Sequence, residues 1–348
     1  MNQRPGDPQE FPGSLPGVSV VMPVLNEERH LAQAVNSILA QDYSGQLDVI
    51  VALGPSTDRT NEVAKGLAAA DSRVTSVLNP TGRTPTGLNA AIAASRNPIV
   101  VRSDGHAVMP PNYIRIAVET LFRTGADNVG GVMAAEGESP FEQAVARAMT
   151  SKLGVGGAAF HVGGDEGPAE SVYLGSFRRH ALERVDGYDE TFLRAQDWEM
   201  NHRIRETGGL VWFTPELVVS YRPRPTVGRL ARQYYEYGRW RRVVMRRHPD
   251  TVTRAGVLRY LAAPIAVVGA LGGIATGTLG VVLDSAPLRL GWLAPAGYLA
   301  LVVGGSLFTG RGLPLQAWIR LPVAYATMHG CWGVGFLTSP RNLGAGRA

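Results

Sequence analysis

The sequence predicts an α/β domain built on a doubly wound, mostly parallel sheet, followed by a C-terminal region of membrane helices. Two observations support this prediction. Short β-branched runs alternate with helical patterns between residue 18 and about residue 140, as in parallel sheets that are covered by helices. Apolar stretches then dominate the last third of the chain. Charged residues make up only 18% of the 348 residues, which is low for a soluble enzyme.

Four strands and three helices are predicted in alternation from Val18 onward. The strands are "VSVVMPV", "LDVIVAL", "RVTSVLN" and "PIVVRSD", and the helices lie in "NEERHLAQAVNSILAQ", "STDRTNEVAKGLAAA" and "TPTGLNAAIAAS". Ligands of such sheets bind at the carboxyl ends of the strands. The polar groups of "PVLNEE", "ALGPSTD" and "RSDGH" all fall at those ends, so they predict a binding site there.

The N-terminal segment and the single cysteine bear on where the first domain lies and on which cysteine-based sites are possible. Residues 1–17 are rich in proline and glycine and lack the apolar core of a signal peptide. We therefore expect a disordered leader and a first domain that stays in the cytosol. Cys331 is the single cysteine, which excludes an internal disulfide and a cysteine-based metal cluster.

Residues 226–250 are predicted to form a basic amphipathic helix at a membrane surface. Arginines crowd between Arg222 and Arg247, while Leu230, Tyr234 and Val244 share one side of the helix. A plain solvated helix would show a similar pattern. The arginines directly precede the most apolar part of the chain, which favours a membrane-facing patch over a nucleic-acid groove.

About three transmembrane helices are predicted within residues 258–338. The apolar stretches are Tyr260–Leu283, Leu290–Phe308 and Ile319–Leu337, and each is near the roughly 20 residues that span a bilayer. A buried helical domain of a soluble protein is the alternative. The arginines before the first stretch predict a cytosolic side there, and a C-terminus on the opposite side.

Six motifs together resemble family 2 glycosyltransferases. They are "VSVVMPVLNEE", "GPSTDRT", "TGLNAAIAAS", "VRSDGHA", "GSFRRHALERVDGYDETF" and "AQDWEMNHRIRETGG", in this order. The resemblance covers roughly Val18 to Trp240 and is greatest to the membrane-attached bacterial ExoA-like branch. It implies an inverting enzyme whose GT-A nucleotide-diphospho-sugar transferase domain occupies residues 18–225.

The resemblance implies a divalent metal, Mn²⁺ or Mg²⁺, at the end of the fourth strand. Asp104 is expected to contact the donor or the metal, and His106 stands where a second acidic ligand is usual. A cation would neutralise the diphosphate that leaves, and imidazole binds Mn²⁺ more readily than Mg²⁺. The alternative is that both are ordinary loop residues.

Donor binding is expected at the first strand ends and at the third helix. Pro23, Asn26 and Glu27 match the family's P-x-x-N-E motif, although Glu27 could also cap the next helix. Leu53 stands where an Asp usually contacts the base, and an apolar side chain accepts no hydrogen bond.

Roles are also expected for three further residues near the predicted donor site. Arg83 and Asn89 could steer the diphosphate of the donor. Asp58 reads as a helix cap in preference to a ligand.

The resemblance implies that Asp197 is the base that deprotonates the acceptor hydroxyl. Inverting transfer needs such a base as the hydroxyl attacks the anomeric carbon. An N-cap role for Asp197 is the alternative. Gln196 precedes it in place of the usual Glu, and Gly175 could let the acceptor sugar approach closely.

Three residues of the basic segment could also contact the acceptor or the diphosphate. Gln233, Arg239 and Trp240 resemble the Gln-x-x-Arg-Trp motif of processive members, but five residues separate Gln233 from Arg239. Membrane anchoring is the alternative role for this segment. The spacing argues against a polymer channel.

The sequence thus predicts transfer of a sugar from a nucleotide-diphosphate donor to a membrane-held, polyprenyl-linked saccharide. The product would serve cell-surface polysaccharide or glycolipid synthesis at the bacterial plasma membrane, with the catalytic domain in the cytoplasm and no nucleic acid as partner. Two alternatives are a polyprenyl-phosphate sugar synthase and a non-catalytic assembly partner that keeps the fold.

Overall fold

The computed structural model describes residues 13–251 and 254–345, which fold into two compact units. Most of the predicted leader, residues 1–12, lies outside the described residues. The first unit comprises the described residues up to Ala134 together with Ala158–Tyr221. The second comprises Ala135–Gly157 and the described residues from Arg222 onward. The predicted domain of residues 18–225 therefore differs in one place, because residues 135–157 pack with the C-terminal helices.

The first unit contains a single sheet whose strand order is β3-β2-β1-β4-β7-β5-β8-β6. The first four strands pair in parallel, and β7 runs antiparallel to both β4 and β5. This arrangement confirms the predicted mostly parallel α/β fold. The strands are β1 Val18–Val24, β2 Leu47–Leu53, β3 Val74–Leu78, β4 Ile99–Arg102, β5 Asn128–Ala135, β6 Gly167–Pro168, β7 Tyr173–Arg178 and β8 Val211–Tyr221.

Helices cover both faces of this sheet. The first four are α1 Leu31–Leu39, α2 Thr60–Ala70, α3 Thr84–Ala94 and α4 Tyr113–Thr124. The next two helices in the chain, α5 Pro140–Met149 and α6 Lys152–Val155, belong to the second unit. The chain then returns to the sheet with α7 Ala159–Val162, α8 Arg179–Arg184 and α9 Gln196–Glu206. Neighbouring strand residues face opposite sides, so Val20 packs in the core under α1 and α4, and Val21 in the core under α3 and α9. Burial on both faces explains the continuous apolar strands.

The second unit is helical. After α5 and α6 it contains α10 Val227–Arg247, α11 Arg254–Val282, α12 Ala286–Arg289, α13 Leu293–Thr309, α14 Leu315–Trp318 and α15 Leu321–Leu337. Helix α5 packs against α14 and α15, and its buried side includes Val145, Ala148 and Met149. That apolar face is the reason residues 135–157 belong to this unit.

Two segments of the second unit are long and apolar enough to cross a membrane. They are Tyr260–Val282 and Ala286–Thr309, with mean hydropathies of 2.0 and 1.5. In the 18-residue window of each segment that meets this criterion, only 17% and 11% of the residues are buried inside the protein. The third predicted stretch forms α15, which has 17 residues and a larger buried share.

Helix α15 packs closely against the basic helix α10. A Cβ on Gly335 would lie 2.0 Å from the carbonyl oxygen of Tyr235, so only glycine permits this approach. Arg242 donates to the carbonyls of Phe336 and Leu337, both at 3.0 Å, where the last turn of α15 has no partners of its own. Arginines of α10 therefore cap the C-terminal end of α15.

Two further contacts of α15 lie near one end of each candidate span, and a third joins His329 to Tyr298 within the second span, at 3.2 Å between Nδ1 and the hydroxyl. The hydroxyl of Tyr325 lies 2.9 Å from the hydroxyl of Thr309, the last residue of α13. Gly333 packs on the carbonyl of Ala263, near the beginning of the first span. If the two candidate spans cross a membrane as a helical hairpin, these two ends lie on the same side of it. In that arrangement α15 would lie on the side that carries α10, whereas the predicted third span and the predicted side of the C-terminus remain predictions.

We expect two crossings, with the C-terminus on the same side as α10. Cysteines introduced one at a time into a Cys331→Ser background and probed with a membrane-impermeant maleimide test this. Asn342→Cys should react from the same side as Arg224→Cys, and Ser285→Cys from the opposite side. Labelling of Asn342→Cys from the side of Ser285→Cys would instead establish α15 as a third span.

Candidate functional site

Polar side chains meet at the carboxyl ends of β1 and β4, as the sequence predicts. Glu27 follows β1 and His106 follows β4, and the Nδ1 of His106 lies 2.8 Å from Oε1 of Glu27. Glu27 does not cap α1 through its side chain; helix α1 begins without a side-chain cap. The carboxylate of Glu27 and the imidazole of His106 therefore form one local group at the strand ends.

A buried arginine joins the predicted metal ligand to the predicted base. Arg102, the last residue of β4, is 5% exposed. Its Nη2 lies 3.0 Å from Oδ1 of Asp104, and its Nη1 binds Oδ1 of Asp197. Asp197 lies in the first turn of α9, where the helix dipole favours a negative charge. One guanidinium thus bridges two carboxylates.

The charges of this cluster shift the pKa values of its members in ways that suit a base. Burial raises the pKa of Asp197 above the usual range, and the positive charge of Arg102 opposes that rise without cancelling it. Burial lowers the pKa of Arg102, but Asp197 and Asp104 outweigh it and hold the pKa well above its ordinary value. The side chain of Asp197 keeps 33% of its surface exposed, so it is accessible from solvent.

The segment that contains Tyr188 is held beside this cluster by two side chains. The backbone N–H of Tyr188 donates to Oδ1 of Asn89, and the amide of Asn89 donates back to the carbonyl of Tyr188, both at 2.8 Å. Arg203 donates to the carbonyl of Gly187 at 2.8 Å and is bound through two bonds of 2.7 Å to Glu199. Asn89 therefore positions this segment, and its predicted role in donor binding remains a prediction.

The loops after β1 and β2 are tied to each other. Oδ1 of Asn26 accepts from the backbone N–H of Thr57 at 2.8 Å, and the N–H of Asn26 donates to Ser56 at 3.1 Å. Asn26 adopts a positive φ of 58°, a conformation that asparagine tolerates. Asp58 accepts from the N–H of Thr60, the first residue of α2, at 3.0 Å, although the N-cap position itself is Arg59 and has no side-chain cap.

The remaining residues of the predicted donor site lie at the same edge of the sheet. Pro23 is in β1 and pairs with Ala52 of β2. Arg83 is exposed at the N-terminus of α3. Leu53 is buried in the apolar core at the end of β2, so its side chain offers no polar contact to a base.

Gly175 differs from its predicted role at the acceptor. It is buried in β7, and a Cβ there would lie 2.5 Å from both Oδ1 of Asn128 and the ring of Phe177. Core groups fill the space beside this glycine, so it serves packing inside the sheet. Gln196 is buried as the first residue of α9, directly before Asp197.

The predicted acceptor residues of the basic segment belong to α10 in the second unit. Gln233 donates to the hydroxyl of Tyr237 at 2.8 Å, and Arg239 pairs with Glu236 at 2.8 Å. Trp240 is buried. Their roles in binding the acceptor or the diphosphate remain predictions.

Asp104 and His106 have donor atoms that fit a divalent cation. Carboxylate oxygen suits both Mn²⁺ and Mg²⁺, and imidazole nitrogen is accepted better by Mn²⁺. When Nδ1 of His106 carries the proton, it donates a hydrogen bond to Glu27, and Nε2 keeps its lone pair. In many metal sites a carboxylate orients a metal-binding histidine in this way. Asp104 has a second oxygen besides the one that Arg102 holds.

Sequence reasoning missed Arg102 and Tyr188. A signal for Arg102 existed, because an arginine at the end of a strand that is otherwise buried needs carboxylate partners. No comparable signal marked the hydroxyl of Tyr188, because its neighbours come from distant parts of the chain.

The chain is similar to known proteins in sequence and in fold. Residues 19–186 match the family described as glycosyl transferase family 2. The succinoglycan biosynthesis protein ExoA of Rhizobium meliloti (strain 1021) is 31% identical over 322 residues, which cover 91% of this chain and 93% of ExoA.

Two solved structures share the fold at lower identity. The mannosyltransferase PcManGT from Pyrobaculum calidifontis, in complex with GDP-Man and Mn²⁺, superposes with a TM-score of 0.56 at 20% identity, covering 94% of this chain and 90% of that one. Staphylococcus aureus TarS 1-349, in complex with UDP, superposes with a TM-score of 0.51 at 16% identity, covering 92% of this chain and 90% of that one. The sheet therefore has the GT-A fold, and the chain belongs to glycosyl transferase family 2.

Proposed function

We propose that this chain is an inverting glycosyltransferase that acts on an acceptor held at the membrane. The observation that supports it most is the position of Asp197: partly exposed, in the first turn of α9, with a raised pKa, and tied by Arg102 to the strand end that carries Asp104. A carboxylate so placed suits a general base.

In the proposed reaction Asp197 takes the proton of the acceptor hydroxyl. The acceptor oxygen forms a bond to the anomeric carbon while the bond from that carbon to the diphosphate breaks on the opposite face. The nucleoside diphosphate leaves with the electron pair of the broken bond, and the configuration of the sugar is inverted. A bound Mn²⁺ or Mg²⁺ would supply positive charge to the leaving diphosphate. Asp104 and His106 would hold it.

The acceptor is proposed to be a polyprenyl-linked saccharide at the bacterial plasma membrane, reached from the cytoplasmic side. Two apolar segments long enough to cross a membrane support this location. The relative named for succinoglycan biosynthesis supports a role in cell-surface polysaccharide or glycolipid synthesis. The structural neighbours with GDP-Man, Mn²⁺ and UDP support a nucleotide-sugar donor.

Replacement of the proposed base tests the function directly. On membranes supplied with a set of nucleotide sugars, Asp197→Asn should lower transfer by about 10²- to 10⁴-fold, the usual contribution of a general base. Asp71→Asn, which changes a half-buried carboxylate paired with Arg73, should leave transfer unchanged. Near-normal activity of Asp197→Asn would favour a phosphate nucleophile, as in a polyprenyl-phosphate sugar synthase, because a phosphate needs little deprotonation.

Removal of the metal should stop transfer, and His106→Ala should raise the Mn²⁺ concentration needed for half-maximal rate. The physical reason is the loss of one nitrogen ligand while Asp104 remains. Binding of Mn²⁺ can be followed separately by electron paramagnetic resonance in the presence of UDP or GDP. His30→Ala, at an exposed histidine before α1, is the control. Transfer that persists in EDTA would contradict the metal site.

The pH at which kcat/KM falls on the acid side should depend on the positive charge of Arg102. Because Asp197 acts as a base only when deprotonated, activity falls as the pH drops through its pKa, which burial raises. Arg102→Gln removes the charge that opposes this rise, so the acid limb should move to higher pH. Arg115→Gln, at an exposed pair with Glu119, should leave it in place. An unmoved limb, or one shifted to lower pH, would show that Asp197 does not set the profile.

A further inference from the structure

The hydroxyl of Tyr188 is buried and makes no hydrogen bond of normal geometry among the described residues, although Arg102 and Asp197 lie close enough to interact with it. Tyr188 is 3% exposed, and its Oη is one of the few buried side-chain atoms there that make no hydrogen bond. A buried hydroxyl left in this state destabilises the folded protein, and phenylalanine would fill the same space at no such cost. Packing alone therefore does not explain why a tyrosine stands at this position.

The position of this hydroxyl is fixed from several directions. Asn89 binds both the N–H and the carbonyl of Tyr188, and Arg203 binds the carbonyl of the preceding Gly187. The ring packs edge-on against Phe177, with the ring centroids 6.5 Å apart and an interplanar angle of 80°. The hydrogen bonds fix the backbone at Tyr188, and the contact with Phe177 fixes the place of the ring.

The hydroxyl lies beside the proposed base. The charges of Asp197 and Arg102 both act on Tyr188, and the hydroxyl in turn lowers the pKa of the Asp197 carboxyl as a donor would. Arg102 occupies Oδ1 of that carboxylate. A carboxylate accepts about four hydrogen bonds, so it has room for a second donor besides the substrate.

We propose that Tyr188 is a positioning residue for Asp197: its hydroxyl donates to the Asp197 carboxylate during the reaction and, together with Arg102, orients the carboxylate toward the acceptor hydroxyl. The inference rests on the proposed role of Asp197 as base. Such a bond would form fully in the complex with substrate, because catalytic hydrogen bonds often tighten only there.

Tyr188→Phe tests the proposal because it removes one oxygen atom. We expect kcat to fall about 10- to 100-fold, the size of a hydrogen bond to a charged group, with the KM for the nucleotide sugar changed by less than about twofold. The melting temperature should stay the same or rise, because an unpaired buried hydroxyl is lost.

Tyr113→Phe is the matched control. Tyr113 is equally buried, but its hydroxyl already has a partner, since it donates to the carbonyl of Leu174 at 3.0 Å. This variant should melt at a lower temperature and keep its kcat. The two tyrosines are thus expected to show opposite patterns of stability and turnover.

Either of two results would overturn the proposal. An unchanged kcat for Tyr188→Phe would show that the hydroxyl does not act on the reaction. A lower melting temperature, as in Tyr113→Phe, would give the hydroxyl a structural role instead. Asp197→Asn in the same assay separates the two ideas: if it is nearly inactive while Tyr188→Phe is normal, only the positioning role fails, and if it is nearly normal, the base assignment fails as well.

Discussion

The ion pairs of Arg102 are the interaction on which the proposed site depends. This guanidinium ends the short strand β4 and binds Asp104 two residues later and Asp197 ninety-five residues later. Withdrawing an arginine from water is costly unless its charge is matched, and removing either partner would leave a buried charge uncompensated. Two carboxylates around one guanidinium leave a net negative charge, which suits a site that would receive a cation. The same contacts join the sheet to α9.

Much of the first unit could be predicted because its signals are local. Strands β1, β2 and β4 are buried on both faces, so each appears in the sequence as a continuous apolar run. Strands β5 to β8 lack that signal; β6 has only two residues, and β7 pairs with strands that precede it by many residues. The position of residues 135–157 was not predictable, because an amphipathic helix such as α5 shows the same pattern in whichever unit it packs.

The sequence predicts where the site lies in the fold, but it does not predict which side chains of the site contact one another. Glu27, Asp104 and His106 follow strands whose carboxyl ends lie together in any parallel sheet, so their proximity follows from topology. The link from Arg102 to Asp197 depends on where α9 docks, and no local pattern encodes that. Gly175 illustrates the same limit: the sequence shows a missing side chain, but only the packing of Asn128 and Phe177 shows what fills the space.

The division of the chain between two units has a consequence for any shortened form of the protein. The chain leaves the first unit after Ala134, contributes α5 and α6 to the second, and returns at Ala158. A polypeptide cut at Tyr221 would retain α5 but lose α14 and α15, the helices that cover its apolar face. Such a fragment would expose Val145, Ala148 and Met149 to solvent and tend to aggregate. A soluble catalytic domain would therefore require replacement of residues 135–157 as well as removal of the C-terminal helices.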